Sequence, residues 1–339
     1  MKPFLLMLMG PALLAQQLPR VSNAKMENRN GADLKSAIQS VVAVQSTPAW
    51  VGYTVPAIPG EHNSCCWNDG YRGCALEGQN RMMGTVTAGP VLLEGSSTLV
   101  ILYRVANHAV DKVRSFSGDC ELDAGGLPFV LLTGVKPSDS VAMLETMVTE
   151  KNDQVISAIA MHGDPSADQA LEKMASASGG YSDKIREKTL FWLGNTPRKG
   201  GYETLKRIAL QDPSDAIREK AMFPLSVSKE PDAVNTLIEA AKKDKSTKVR
   251  SQALFWLAHK AGQRETAAIV GAIDNDPDLA VKKKAVFALS QIPKDEGVPK
   301  LIEVAKSNRS PEVRKQAMFW LGQSKDQRAV DFFKDVLAK

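Results

Sequence analysis

Apolar positions in the second half of the chain repeat every 32 residues without a change of register. Phenylalanine marks this period at five equivalent positions, which number the repeats as copies 1 to 5: Phe191, Phe223, Phe255, Phe287 and Phe319. A fixed period of this length is typical of helical arrays in which each unit buries its apolar side only against its neighbours. The pattern therefore predicts an α-solenoid.

Each period has room for two helices. In copy 3, for example, Leu237 and Ala240 stand three residues apart in the first helix, and Val249 and Leu257 mark the buried side of the second. Spacing of this kind indicates a buried helical stripe. The first-helix stripe recurs as Leu205, Leu237, Ile269, Leu301 and Phe333, each followed three positions later by Ile208, Ala240, Ala272, Val304 and Val336. Helical spacing begins at Ser138, so we expect a solenoid of five to six helix pairs over 138–339.

The second helices approximate the order Val-Arg-x-x-Ala-Ala/Leu-x-x-Leu-Gly, with Lys282 as the one departure at the arginine, after turns such as Asp212-Pro213 and Asp276-Pro277. This order resembles short HEAT repeats of the phycobilisome-lyase-like kind over residues 138–339. The resemblance implies that the arginine of each copy pairs with a turn aspartate of the same or the adjacent repeat. It does not imply one activity, because fold alone does not specify function. A di-iron site, as in the related deoxyhypusine hydroxylase, is not expected because the chain lacks repeated His-Glu pairs.

The first half of the chain has the alternation and β-branched content of strands. We predict a β-rich domain over 46–135 with strands at Ala49–Val55, Pro90–Leu93, Thr98–Ala106, Val110–Ser117 and Phe129–Thr133, the third and fourth joined as a hairpin. Residues 18–45 are predicted to be a linker with a possible short helix. The fold class is thus mostly α, with a small β-rich domain before the solenoid.

Four cysteines lie in this β-rich half: Cys65, Cys66, Cys74 and Cys120. An even number of cysteines in an oxidising compartment indicates two disulfides. A bond between adjacent Cys65 and Cys66 would strain the peptide between them. We therefore expect one of these two to pair with Cys74 and the other with Cys120. Zinc is the alternative, but no CxxC pair supports it, and we predict no metal and no cofactor.

Residues 1–17 have the pattern of a secretory signal. A lysine is followed by an apolar run from Phe4 to Leu14 and then by polar residues. The run is too short to span a bilayer, so no transmembrane segment is expected after cleavage. A buried N-terminal helix is the alternative. The pattern predicts a periplasmic or secreted protein.

The five phenylalanines are the candidate binding residues. On a helical wheel of the second helix they fall outside the buried arc, which predicts an aromatic stripe on the inner surface of the solenoid, and such stripes are often contact sites. The alternative is that each ring packs in the groove between neighbouring second helices. Three tryptophans that directly follow a phenylalanine fall near the buried arc, and we expect them in the core: Trp192, Trp256 and Trp320.

Positive charge accompanies the stripe. The chain has 43 Lys and Arg against 38 Asp and Glu, for a net charge of +5, whereas residues 181–339 alone hold 30 basic and 21 acidic residues. Lys220, Lys284 and Lys315 flank the phenylalanines. Aromatic rings flanked by cations suit an acidic protein or peptide partner, and the export signal argues against nucleic acid.

Two functional hypotheses follow from these patterns. The first is an exported, non-enzymatic scaffold that binds a protein partner on the inner face of the solenoid. The second is a lyase-like enzyme or enzyme subunit whose site lies near the β-rich domain and uses one of the cysteines as a reactive thiol. The absence of any recognised catalytic motif favours the first.

Overall fold

The computed structural model describes residues 18–59, 65–68, 71–77, 96–260 and 262–338. The chain divides into two compact units, one of Met1–Thr146 with Met161–Pro165 and one of Met147–Ala160 with Ser166–Lys339. The described residues form fourteen α-helices and nine strands, which confirms the mostly α fold class. The predicted signal at 1–17 and the predicted strand at 90–93 lie outside the described residues.

The first unit contains two sheets. The larger has the strand order β2-β9-β3-β6-β7, and the smaller has the order β1-β8-β5-β4. The predicted hairpin is β6 with β7, and its turn residues Asn107 and His108 both have a positive φ, near 51° and 59°. The strands are β1 Arg20–Ser22, β2 Lys25–Asn30, β3 Ala49–Pro56, β4 Trp67–Asn68, β5 Tyr71–Ala75, β6 Thr98–Ala106, β7 Ala109–Ser117, β8 Glu121–Asp123 and β9 Pro128–Thr133.

A buried cluster fills the space between the two sheets. Trp50 of β3, Leu102 of β6 and Phe129 of β9 pack there against Cys74 of β5 and Cys120, which directly precedes β8. Gly52 makes the close strand packing possible, because a Cβ at this position would lie 2.5 Å from the Leu102 side chain. The disulfide cysteines are therefore part of the apolar core of this unit.

The segment 18–45 contains the predicted short helix, but the rest of it is not a linker, contrary to our prediction. β2 pairs in parallel with β9 over six residues, β1 pairs with β8, and helix α1 (Leu34–Val44) buries Leu34, Ile38 and Val41. Only one residue of β2 is even partly buried, so the strand has almost no apolar alternation in its sequence. Backbone pairing alone holds it in the sheet.

The boundary of the helical unit also differs from the predicted 138. Helix α2 (Pro137–Glu145) packs on α1 and β3 and belongs to the first unit. A buried chain of hydrogen bonds fixes it there: the Tyr53 hydroxyl lies 2.9 Å from the Tyr103 hydroxyl and 2.8 Å from Ser140 Oγ, which lies 2.8 Å from His162 Nε2. Burial raises the pKa of Tyr53 well above its usual value. Buried hydrogen bonds therefore place α2 in the first unit, and the helical spacing of apolar residues does not predict this.

The second unit is a row of helix pairs. Copies 1 to 5 are the pairs α4–α5, α6–α7, α8–α9, α10–α11 and α12–α13, with α3 before them and α14 after them. The helices are α3 Val155–Ala160, α4 Pro165–Ala175, α5 Asp183–Asn195, α6 Lys199–Gln211, α7 Asp215–Val227, α8 Ala233–Lys243, α9 Thr247–Ala258, α10 Gln263–Asn275, α11 Leu279–Gln291, α12 Lys294–Ser307, α13 Pro311–Gln323 and α14 Gln327–Leu337.

Successive second helices pack on one another more extensively than successive first helices do. Small side chains on the second helices, such as Ala221 and Ala253, are fully buried and allow this close approach. The first-helix stripe is buried through Leu301 and Val304, apart from the half-buried Ala272. In α14, Phe332 is buried instead of Phe333, and Val336 is exposed. The apolar stripe is therefore no longer buried in α14, the last described helix.

Candidate protein-binding face of the solenoid

Buried ion pairs hold the second helices side by side. Arg218 of copy 2 donates from Nε and Nη2 to Asp244 of the next turn, at 2.7 and 3.0 Å, and Arg250 binds Asp276 in the same two-pronged way at 2.8 and 3.0 Å. Arg186 donates to Asp212 from copy 1. Each arginine thus reaches the turn aspartate 26 residues further on, as the HEAT resemblance implied.

This arginine–aspartate ladder is interrupted after copy 3. Copy 4 has Lys282 in the arginine column, and the residue at the matching turn is Asn308. Lys282 Nζ donates instead to the carbonyl oxygen of Asp274 at 2.6 Å. Arg314 of copy 5 donates to the carbonyl oxygens of Asn308 and Arg309, at 2.7 and 3.3 Å. The joint between copies 4 and 5 therefore has no ion pair of the ladder type.

The five phenylalanines lie along the row of second helices, and each ring contacts another phenylalanine or a tryptophan. Phe191 stacks on Phe223 with ring centroids 6.2 Å apart, and Phe255 stacks on Phe287 at the same distance. Between these stacked pairs, the Phe223 ring packs on the Trp256 indole, with ring centroids 4.8 Å apart. The rings form a continuous surface, which we name the aromatic face; its members are the five phenylalanines with Trp192, Trp256 and Trp320.

The residue after each phenylalanine decides which contact is made. In copies 1 to 5 it is Trp192, Pro224, Trp256, Ala288 and Trp320, so a large side chain alternates with a small one. Where the next copy has proline or alanine, phenylalanine stacks on phenylalanine. Where it has tryptophan, phenylalanine packs on the indole, and Phe287 meets Trp320 at 4.9 Å as Phe223 meets Trp256. The aromatic face therefore has a period of two repeats.

Exposure along the face is uneven. Phe319 is 54% exposed and Phe191 is 37% exposed, whereas the three phenylalanines between them are half-buried against neighbouring rings. The stripe and the groove-packing alternatives therefore each describe part of the face. The three tryptophans are half-buried rather than core residues, so our expectation for them was wrong. The sequence signal for their position is the alternation of tryptophan with proline and alanine along the copies.

A groove of about 700 Å³ opens on copies 1 and 2. Phe191, Trp192, Phe223 and Pro224 form its apolar part, and Asp153 with charged side chains from α5 and α7 forms its rim. Because Pro224 takes the place of a tryptophan, the groove lies at the small position between two large ones. It is wide enough for the side chains of a bound peptide.

The predicted lysines lie on this face but differ in their surroundings. Lys220 Nζ is 2.9 Å from Glu187, and its neighbour Lys188 is 3.7 Å from Asp153, so the positive charge at copies 1 and 2 is balanced. Lys284 and Lys315 precede Phe287 and Phe319 by three and four residues, which places each on the same side of its helix as the ring. Both are exposed, and neither has an ion-pair partner within the described ranges. Uncompensated positive charge is therefore found at copies 4 and 5.

The four cysteines are distant in sequence from this face and are all paired. The structure joins Cys65 to Cys120 and Cys66 to Cys74, which is one of the two pairings that we expected. One sulfur atom from each of Cys65, Cys74 and Cys120 lies within 4.8 Å of the others, a clustering that a metal site would also need. Because all four sulfurs are used in disulfides, none is a thiolate ready to bind a metal.

Comparison with known proteins assigns the class of this unit. The family model for HEAT repeats matches residues 266–339. The same 32-residue register continues back to copy 1, so the helical unit is a HEAT-repeat solenoid. No curated protein sequence matches the chain.

Solved structures with similar helical arrays share little sequence with it. Human deoxyhypusine hydroxylase in complex with glycerol is 16% identical over 58% of this chain and 77% of its own, with a TM-score of 0.27. Kap121p is 12% identical over 58% of this chain and 26% of its own, with a TM-score of 0.38. The CpcE–CpcF complex of phycocyanin lyase from Nostoc sp. PCC7120 is 18% identical over 53% of this chain and 97% of its counterpart, with a TM-score of 0.29. This chain therefore spans about a quarter of the length of Kap121p.

None of the helices that the structure describes combines the length and the apolar content needed to cross a membrane.

Proposed function

We propose that the aromatic face is the binding surface of a non-enzymatic scaffold that holds a protein partner. The observation that supports the proposal is the continuous row of rings, from Phe191 to Phe319, on helices whose other side already fills the core. A helical repeat needs the apolar columns on its buried side for stability, but it does not need aromatic side chains at all five copies of a half-exposed position. Aromatic residues are the side chains that most often dominate binding energy.

Loss of partner capture tests the proposal. Phe255→Ser with Phe319→Ser removes rings from the middle and the end of the face. We expect this variant to lose the partner that the native protein retains by cross-linking in an envelope extract, while the helical circular dichroism spectrum stays unchanged. Val330→Ser with Val336→Ser is the matched control, because these exposed valines lie on α14 and not on a second helix. Equal capture by both double variants would overturn the proposal.

We further propose that the protein acts outside the reducing cytosol. Two disulfides in the core of the first unit support this, because disulfides persist in oxidising compartments. N-terminal sequencing of the protein isolated from its native cells should begin at a residue after the apolar run. A sequence that still contains the run from Phe4 to Leu14 would contradict processing as a secretory signal.

The two disulfides support the scaffold over the lyase-like alternative. That hypothesis required a free thiol, and the four cysteines of the chain are all disulfide-bonded. Thiol labelling of the isolated, unfolded protein measures this directly. Labelling of one or two cysteines without prior reduction would show a free thiol and support the lyase-like alternative. If no cysteine is labelled, the result supports the scaffold.

A further inference from the structure

We propose that the partner of the aromatic face is a protein that binds through an acidic segment lying over copies 4 and 5, and not a uniformly anionic chain such as a nucleic acid. The inference rests on the proposed function and identifies its partner by chemistry. It follows from the charged residues three and four positions before each phenylalanine, because residues at these spacings lie on the same side of a helix as the ring.

The residues at these two positions change in charge along the face. Four positions before the phenylalanine, copies 1 to 5 have Glu187, Glu219, Ser251, Lys283 and Lys315. Three positions before it, they have Lys188, Lys220, Gln252, Lys284 and Gln316. At these positions the first two copies therefore hold two acidic and two basic residues, whereas the last two copies hold three basic residues and no acidic one.

An ion pair between neighbouring copies shows how the two positions meet. Lys220 Nζ in copy 2 lies 2.9 Å from a carboxylate oxygen of Glu187 in copy 1. Two copies further on, the equivalent of Lys220 is Lys284, and the equivalent of Glu187 is Ser251. The repeat register therefore places a hydroxyl, and not a carboxylate, where an ion-pair partner of the exposed Lys284 would stand.

Lys315 occupies a position that is acidic in copies 1 and 2. It is exposed, and no ion-pair partner contacts it within the described ranges. Lys283, at the same position of copy 4, is different. Hydrogen bonds from its own backbone N–H and from Ser310 hold the pKa of Glu312 below its usual value, and the charge of Lys283 adds to this effect. Lys284 and Lys315 are thus the cations that remain for the carboxylates of a partner.

Carboxylates at copies 1 and 2 restrict the class of partner. Glu219 lines the groove there and has no ion-pair partner among the residues described, since the register places Gln252 and not a lysine opposite it. A nucleic acid has a phosphate at every nucleotide, so a strand along the face would bring phosphates to Glu219. A protein segment can be acidic over copies 4 and 5 alone, which makes its charge complementary to the whole face.

Defined ligands test the inference on the full-length protein. The probe is a synthetic peptide that contains phenylalanines and has a block of glutamates at one end. One comparison peptide has glutamine in place of every glutamate, and another has lysine. A single-stranded thymidine oligonucleotide represents a uniformly anionic chain, and phosphatidylserine vesicles represent an anionic surface. Calorimetry gives the dissociation constants.

We expect the glutamate peptide to bind more tightly than the other four ligands. Lys284→Ser with Lys315→Ser should weaken its binding by about fivefold, because exposed ion pairs of this kind contribute about twofold to threefold each. Lys229→Ser with Lys242→Ser is the matched control, which removes two exposed lysines that lie outside the second helices and should leave the affinity almost unchanged. Circular dichroism establishes that each variant is folded.

Ser251→Glu is the sharper variant. It gives Lys284 the carboxylate that Glu187 presents to Lys220, so it should weaken binding of the glutamate peptide by about twofold to threefold. Ser251→Gln adds a side chain of the same size without the charge and should have little effect. Glu219→Gln should strengthen binding of the oligonucleotide, because it removes the carboxylate that the phosphates would meet.

Equal binding of the glutamate and glutamine peptides would overturn the inference. So would unchanged binding in Ser251→Glu, equal weakening by the two double lysine variants, or binding of the oligonucleotide or the vesicles as tight as that of the glutamate peptide. Oligonucleotide binding that does not respond to Glu219→Gln would remove the reason for excluding nucleic acid.

The proposed function has its own test. Phe255→Ser with Phe319→Ser would still lose the native partner if that partner were not acidic. Loss of capture in that variant, together with peptide binding that does not depend on charge, would reject only the acidic segment.

Discussion

Arg218→Met tests whether the buried ion pairs hold the solenoid together. Arg218 and Asp244 are 3% and 5% exposed, and two hydrogen bonds of 2.7 and 3.0 Å join them. Methionine keeps most of the side-chain volume, but it leaves the carboxylate buried without its cation. A pair of charges about 4 Å apart attracts by about 4 kcal/mol at an effective dielectric constant of 20. Breaking a buried pair costs about 3–5 kcal/mol.

We expect the free energy of unfolding to fall by about 3 kcal/mol, the lower end of that range. Asp244 retains a hydrogen bond from the Ser246 backbone N–H at 2.7 Å, which limits the cost. Arg314→Met is the matched control from the same column of the repeat. Arg314 donates only to backbone carbonyls within the described chain, so its loss should cost about 1 kcal/mol.

Urea unfolding followed by far-ultraviolet circular dichroism measures the difference. Transition midpoints are compared, because a repeat array need not unfold in two states. A double variant, Arg218→Met with Asp244→Leu, should recover most of the loss, since replacing both members of a buried pair by apolar residues is often close to neutral. Equal midpoints for Arg218→Met and Arg314→Met, or no recovery in the double variant, would refute the reasoning.

The same pair predicts a dependence on pH. Burial raises the pKa of Asp244, but hydrogen bonds from Arg218 and the Ser246 N–H outweigh it and hold the pKa below its usual value of 3.8. A carboxyl with a lowered folded pKa stabilises the fold above its unfolded pKa, and this stability is lost as the pH falls through the folded pKa. The stability gap between the native protein and Arg218→Met should therefore narrow when the pH is lowered from 7 to about 3. A gap that widens would contradict the assignment.

Two further predictions concern close packing and covalent links. A Cβ on Gly194 would lie 2.4 Å from the Pro224 carbonyl oxygen, so Gly194→Ala should destabilise the solenoid by about 1–3 kcal/mol. Gly322 occupies the same position in copy 5, where a Cβ meets nothing within 4 Å, so Gly322→Ala should stabilise the solenoid by about 0.5–1 kcal/mol. Thermal unfolding measures the effect of each alanine variant. A shift of the same sign for the two variants would contradict the prediction. Removing the disulfide across 55 residues should cost about 4 kcal/mol, against about 2.5 kcal/mol for the one across 8 residues, because the longer link restricts the unfolded chain more. Thermal unfolding of two double serine variants, one for Cys65–Cys120 and one for Cys66–Cys74, tests whether the first loses more stability than the second.

Periodicity predicted the solenoid because buried columns and the repeat length are written directly in the sequence. Leu237 and Val249 could be assigned to the core without coordinates. The exposure of Trp256 could not be predicted from one copy alone, because a second helix has neighbours on both sides and the size of their side chains decides what remains open. A helical wheel of one copy does not contain Pro224 or Ala288 from the adjacent copies.

The first unit was less predictable for a different reason. β2 is held by backbone hydrogen bonds to β9, with almost no buried side chain, so neither alternation nor β-branched content marks it. Helix α2 has ordinary helical spacing, but the Tyr53–Ser140–His162 chain places it with the sheet. Polar anchors between distant residues have no local pattern that sequence reasoning can detect.

The missing ion pair between copies 4 and 5 has a consequence for hydrogen exchange. In a linear array, the free energy of each local opening is set by the interface between neighbouring repeats. Copies 1 to 3 are each linked forward through an arginine, whereas the fourth joint has only an exposed hydrogen bond of 3.1 Å from Asn308 to Asp274 in place of a buried ion pair. Amides of α12 and α13 should therefore exchange before those of α7 and α9. The copies that carry the unpaired lysines would then be the part of the solenoid that opens first.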